Sequence, residues 1–293
     1  MSPTKPLVLY GHSYTPNPSK VVMILEELEI PYEHVMIDLA VVKEEPYVSI
    51  NPNGRLPALR DPNTDTTLWE SGAIIEYLVE TYDVDSRLSY PSPPERFLLK
   101  QWLHFQMSGQ VSDFSRSVVF FFFPSFLSRF LASRIVHSFC FLLTGVLRAH
   151  AWKRADPPTD AFSHVQKGPY FGQLGWFMLF HPEDVPSAKE RYEEQAVRVF
   201  SVLDRALRGR QYLVGDKATY ADIAFMPWDY LARRLLGDAW VAKWDVESKY
   251  PDYAAWAARV RARPVVGKVL ETMSSQRAKE EEESQKAEEH AAR

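Results

Sequence analysis

The decapeptide HSYTPNPSKV, residues 12–21, sets an asparagine between prolines where an apolar run gives way to an amphipathic stretch. Leu7, Val8, Leu9 and Tyr10 suit a short buried strand, and Val21, Val22, Ile24, Leu25 and Leu28 recur at helical spacing. Pro18 in the first turn, with Asn17 before it, marks the helix start. A helix N-terminus carries unpaired backbone N–H groups and about half a positive charge, so it stabilises an anion held there. A thiolate is such an anion, and its pKa falls in that setting. The Asn17 amide can donate to sulfur without becoming a competing acid. Equally, Asn17 can serve only as an N-cap, and Ser13 and Tyr14 are alternative hydroxyl donors on the same loop.

Two further stretches carry chemistry. In NPNGRLPAL (51–59) a cis bond before Pro57 would turn the Leu56 N–H and C=O outward to pair with an extended peptide. Only about 5–6% of X–Pro bonds are cis, so the motif alone does not predict one. In WESGAI (69–74) Ser71 opens a helix. Its hydroxyl and backbone N–H can hold a carboxylate while Glu70 accepts from an ammonium group. A plain N-cap serine beside a solvated glutamate explains the same two residues. Together, in chain order, the three stretches offer a sulfur site, a peptide-backbone site and a carboxylate–ammonium site, as γ-Glu-Cys-Gly requires.

The elements that must position them follow from periodicity. A second strand near 32–38, a strand pair around DPNTDT and a helix from Ser71 complete a βαβ–ββα order over 5–83. That order predicts a thioredoxin-like α/β domain, a small mixed sheet flanked by helices. A Pro- and Ser-rich linker, 83–95, follows. Beyond it the pattern predicts an all-α domain over 94–272, with helices at 96–110, 187–207, 221–235 and 250–261. Trp102, Phe105, Val197, Phe200, Leu203 and Leu207 lie on its apolar stripes, which are read as core. Thr219 and Asp222, three residues apart, form a capping box with a folding role. The charged tail, 273–293, is polar on every face and is expected to be frayed or disordered.

With these pieces assembled, the chain resembles the cytosolic glutathione S-transferases, and among them the fungal nitrogen-regulator-like branch. The matching stretches are LYGHSYTPNPSKV, NPNGRLPAL, LWESGAIIEYL, QWLHFQMSGQ, GPYFGQ and YLVGDKATYADIAF. The resemblance implies a homodimer that uses glutathione as co-substrate, without a cofactor or metal. It implies that Asn17 faces the sulfur, that Leu56–Pro57 carries the cis-proline contact, and that Glu70 and Ser71 hold the γ-glutamyl end. Lys43 and Arg55 lie where basic side chains meet the glycine carboxylate. The implied reaction is conjugation of a small electrophile, or reduction of a peroxide, by the glutathione thiolate. The alternative is a non-catalytic glutathione-binding regulator. The nucleophile belongs to the substrate, since Cys140 lies outside every matching stretch.

Composition narrows the remaining classes. A net charge of −4 gives no footprint for nucleic acid. One cysteine and no apolar N-terminal leader point to a reducing, cytoplasmic setting. Residues 111–167 break the pattern. These 57 residues separate QWLHFQMSGQ from GPYFGQ, carry 7 Lys/Arg against 3 Asp/Glu, and hold 10 of the 17 Phe. Pro124, Arg129, Arg134 and His137 interrupt the apolar run, so a membrane span is not expected. Insertions favour surface loops, not the interior of a packed helix. The segment preserves the reading frame, opens with Val-Ser and ends with Gln-Lys, as an intron retained and translated in frame would.

Overall fold

The computed structural model describes residues 3–12, 15–108 and 170–291. The 111–167 segment lies outside them up to residue 167, as do Ser13 and Tyr14. The N-terminal domain runs β1 (Leu7–Gly11), α1 (Pro16–Glu27), β2 (Tyr32–Met36), α2 (Tyr47–Ile50), β3 (Ala58–Asp61), β4 (Thr66–Trp69) and α3 (Ser71–Tyr82). Its sheet has the order β2-β1-β3-β4, with β1 and β2 parallel and the other pairs antiparallel. This is the thioredoxin-like arrangement that the βαβ–ββα order predicts.

The helical domain comprises α4 (Pro93–Ser108), α5 (Tyr170–Leu179), α6 (Pro186–Leu207), α7 (Tyr220–Ile223), α8 (Met226–Leu236), α9 (Ala239–Ala242), α10 (Val246–Lys249), α11 (Pro251–Arg261) and α12 (Pro264–Ala291). The stripe Val197, Phe200, Leu203 and Leu207 is buried in one core shared with α1 and α3, while Trp102 and Phe105 pack against it half-covered. The expected helix over 221–235 is two helices. Pro227 has no N–H to bond back to the Ile223 carbonyl, so the ladder restarts at Phe225, whose carbonyl takes the Asp229 N–H.

Asp222 is the polar centre of this domain. It accepts from the Thr219 N–H and hydroxyl, the Leu213 N–H and the Trp256 indole at 2.7–2.9 Å, as the capping box requires and with two partners more. The tail is corrected. It is helical as far as Ala291, continuing α12 beyond its buried residues Val266, Val269, Leu270 and Met273. Ala, Glu, Lys, Gln and Arg are strong helix formers, and pairs such as Glu282–Lys286 bridge successive turns. A polar face removes the reason to pack but not the backbone ladder. No described helix is long and apolar enough to cross a membrane.

Candidate functional site

Strand register brings the three motifs to one end of the sheet. Tyr10 of β1 lies opposite Ala58 of β3, and Ala58 lies opposite Trp69 of β4. The chain therefore leaves β1 toward α1, enters β3 from Pro57 and leaves β4 into Glu70 along a single edge. Gly11 makes the first junction possible, because a Cβ there would stand 2.9 Å from His34 Nε2 and 3.1 Å from Pro18. Burial, then the neighbouring His12, holds the His34 imidazole below its ordinary pKa.

The sequence places Asn17 just outside α1; the structure places it inside. Thr15 occupies the N-cap with extended backbone, and Pro16 begins the helix. Proline fits the first turn because those N–H groups have no helical partner. The reading of Asn17 as an N-cap is thereby corrected. Its side-chain Oδ1 accepts the Trp228 indole N–H at 3.1 Å, from α8 of the helical domain.

The second motif is braced from within. The Arg55 carbonyl accepts from Tyr47 Oη and Asn51 Nδ2, both at 2.6 Å, and Asn51 Oδ1 takes the Asn53 N–H. Burial pushes the Tyr47 hydroxyl up to about 12, so it stays a donor. Gly54 has a φ of +58°, and a Cβ on it would meet Lys43 and the Val42 carbonyl at 3.0 Å. Only glycine adopts this turn freely against so close a neighbour. The same contact sets the Lys43 stem beside the loop that carries Arg55. The Leu56–Pro57 bond is cis, with Leu56 half-buried and Pro57 buried.

In the third motif Ser71 is the first residue of α3, and Glu70 takes the capping position, so the N-cap reading of Ser71 is corrected. Glu70 has a φ of +70°, a conformation costing a non-glycine residue about 1–3 kcal/mol. It persists because β4 and α3 are anchored on either side, the Glu70 carbonyl taking the Ile74 N–H. The carboxylate is exposed, 3.4 Å from Asn53 Nδ2, which ties this motif to the second. Ser71 is buried, and Gly72 beside it lets Met107 of α4 approach to where a Cβ would be, 2.1 Å from the sulfur.

The first motif also carries a lysine, Lys20, to which its spacing assigns no role. Lys20 is 1% exposed, with Nζ 2.8 Å from Gln106 Oε1 on α4. Burial lowers its pKa to about 7, against the opposing pull of Glu70. Gln106 Nε2 is itself buried, with no hydrogen-bond partner among the described residues. Neither residue lies in a spacing that signals chemistry, and their pairing spans 86 positions. Tyr47 and Trp228 were equally invisible. Asn51, not singled out above, does carry a local signal, since an Asn two residues before its backbone partner is an ordinary Asx-turn pattern. Among the described residues no cluster of His, Cys, Asp or Glu could hold a metal.

Comparison with known proteins agrees with this geometry. The glutathione S-transferase N-terminal domain profile matches residues 5–80, and the C-terminal domain profile matches 169–264. The glutathione S-transferase-like protein tpcF of Aspergillus fumigatus is 36% identical over 277 residues, covering 92% of this chain and 96% of its own. Glutathione S-transferase 2 of Schizosaccharomyces pombe is 34% identical, with 91% and 95% covered. Among solved structures, the glutathione transferase URE2P6 of Phanerochaete chrysosporium, in complex with oxidized glutathione, superposes with a TM-score of 0.68 at 35% identity. That superposition covers 93% of this chain and 98% of the other. Two domain profiles in tandem and relatives matching nearly end to end lead to one conclusion: this chain belongs to the glutathione S-transferase family.

Proposed function

We propose that the protein is a catalytic glutathione transferase whose sulfur site is the first turn of α1. The observation that carries this reading is the convergence of the three motifs on one sheet edge, where two helix N-termini meet. Glutathione would lie along that edge. Its sulfur is held by the Asn17 amide and the α1 dipole, and its cysteinyl backbone pairs with Leu56 ahead of Pro57. Its γ-glutamyl carboxylate meets Ser71 and the α3 N-terminus, and its ammonium meets exposed Glu70. Lys43 and Arg55 serve the glycine carboxylate. The thiol proton passes to solvent. Beside the helical domain the thiolate attacks an electrophilic carbon and expels its leaving group as an anion, or attacks a peroxide oxygen, breaking the O–O bond and releasing the alcohol. In the peroxide case a second glutathione then takes the oxidised sulfur to the disulfide with loss of water. The relative URE2P5 of Phanerochaete chrysosporium has been cocrystallized with 1-(S-glutathionyl)-2,4-dinitrobenzene, a product of such an attack.

Turnover of 1-chloro-2,4-dinitrobenzene and of cumene hydroperoxide with glutathione tests the reading. Replacing Asn17 by Ala should lower kcat/KM about 10-fold or more in whichever reaction the protein performs. An unchanged value removes Asn17 from the mechanism. Tight glutathione binding with neither activity favours the regulatory alternative. Exposed Trp69 on β4 and Phe97 on α4 support a homodimer, which sedimentation equilibrium would detect. The expected setting is cytoplasmic, and the expected role detoxification.

Residues 111–167 are a retained intron in this reading, and the working chain runs from Gln110 into Gly168. Mature transcripts sequenced across the junction should lack these 57 codons. Transcripts that mostly keep them would make the segment a true insertion.

A further inference from the structure

We propose that Trp228 is the positioning residue of the Asn17 amide, its indole N–H holding Oδ1 so that Nδ2 is turned toward the glutathione sulfur. The inference rests on the reading of Asn17 above and adds the residue that sets its orientation. A primary amide has two ends of nearly equal shape and opposite electrostatic sense. With Nδ2 toward the sulfur it donates to a thiolate; reversed, it presents carbonyl lone pairs to an anion. An indole N–H only donates, so the Asn17 atom 3.1 Å from Trp228 Nε1 is the oxygen. The partner's chemistry thus decides which end remains for the sulfur.

Two features make that decision consequential. The first is the rigidity of the donor. Trp228 is 2% exposed. Its neighbour Asp229 accepts from the Tyr253 hydroxyl, from Arg233 at 3.2 Å and from Arg261 at 2.6 Å. The first turn of α8 is therefore tied to α11 beside the indole. The second is the poverty of other donors at the start of α1. Pro16 and Pro18 have no N–H, and the Ser19 N–H is bonded to the Thr15 carbonyl at 3.2 Å. Within these four residues donor capacity narrows to Asn17, so its side-chain orientation carries more of the stabilisation than at an ordinary helix start.

The test titrates the thiol of glutathione bound to the protein that the mature transcript encodes, read from thiolate ultraviolet absorbance across pH. No second substrate is needed. Asn17→Ala should move the titration upward by about one pH unit, and Trp228→Phe by about half as much. Glutathione affinity should change less than about threefold in Trp228→Phe, because ring packing is kept. Trp256→Phe, which removes the buried indole bond to Asp222, controls for general loosening and should not move the titration. Asn17→Asp keeps an oxygen for the indole and puts a second anion toward the sulfur. It should raise the thiol pKa at least as far as Asn17→Ala, and this arm needs no change in the core.

A shift in Asn17→Ala without one in Trp228→Phe overturns the inference and leaves the role of Asn17 standing. Equal shifts in Trp228→Phe and Trp256→Phe also overturn it, as does a thiol pKa retained in Asn17→Asp. No shift in Asn17→Ala overturns the reading of Asn17 and the inference with it.

Discussion

Asp222 and Lys20 are both buried ionisable groups, and they are treated in opposite ways. Four donors surround Asp222. Burial pushes its carboxyl up, and those hydrogen bonds pull the other way. Among the described residues Lys20 bonds Gln106, whose own Nε2 has no partner. A fully satisfied buried network specifies a fold, whereas a partly satisfied one is expensive. The contrast follows location. Asp222 ties its own capped turn to Leu213 and Trp256, all within the helical domain, and Lys20 lies where α1, α4 and the Glu70 carboxylate meet at the candidate site. Of these two buried groups, the incompletely satisfied one is the one at the candidate site.

The contrast can be broken from either side. Asp222→Ala should have the largest effect, a loss of about 3–5 kcal/mol in urea unfolding, because four donors are orphaned together. A loss under about 1 kcal/mol would remove Asp222 as the domain's centre. The double variant Lys20→Met with Gln106→Leu should go the other way and stabilise by about 1–4 kcal/mol at neutral pH. Its pH dependence supplies the sign. With a folded pKa of about 7 against an ordinary 10.5, Lys20 is charged in both states below pH 7. Between those values the unfolded chain binds the extra proton. Parent stability should therefore rise with pH there, by at most about 1.4 kcal/mol per unit, and the double variant should lack the rise.

One substitution made twice sharpens the comparison further. Trp256→Phe should cost about 1–2 kcal/mol of stability by leaving Asp222 short of a donor, while Trp228→Phe should cost under about 1 kcal/mol. Thermal unfolding of the two variants measures the difference, and a reversed order would sink it. The smallest effect is expected in the tail. Lys286→Ala removes an exposed pair with Glu282 and should lower α12 stability by about 0.3–0.5 kcal/mol, an effect that added salt erases. Circular dichroism at low and high ionic strength would show it.

Much of this architecture is legible in residue order. Strand and helix identities in the N-terminal domain follow from apolar spacing, and the Thr219–Asp222 box from two residue types three apart. Boundaries are less legible. Asn17 reads as preceding the helix if Pro18 alone marks the start, whereas Pro16 and Pro18 both fit the first turn. The tail reads as unstructured because it has nothing to bury, yet local propensity and charge pairs continue α12 through it. The break at Ala224 and Phe225 is encoded by Pro227, a signal that helical spacing alone does not carry.

By itself the sequence determined which chemical groups exist and which local elements carry them: an amide, a proline-led strand and a glutamate–serine pair, each at a junction. These are short-range facts, set by sterics and hydrogen bonds within a few residues. Only the tertiary structure decided what each group faces. Strand register brought the three junctions to one edge. Packing of α1 against α4 buried Lys20. An indole 211 positions along the chain settled which end of the Asn17 amide points away from the helical domain. Contacts at such separation depend on the whole core closing, and no local spacing announces them.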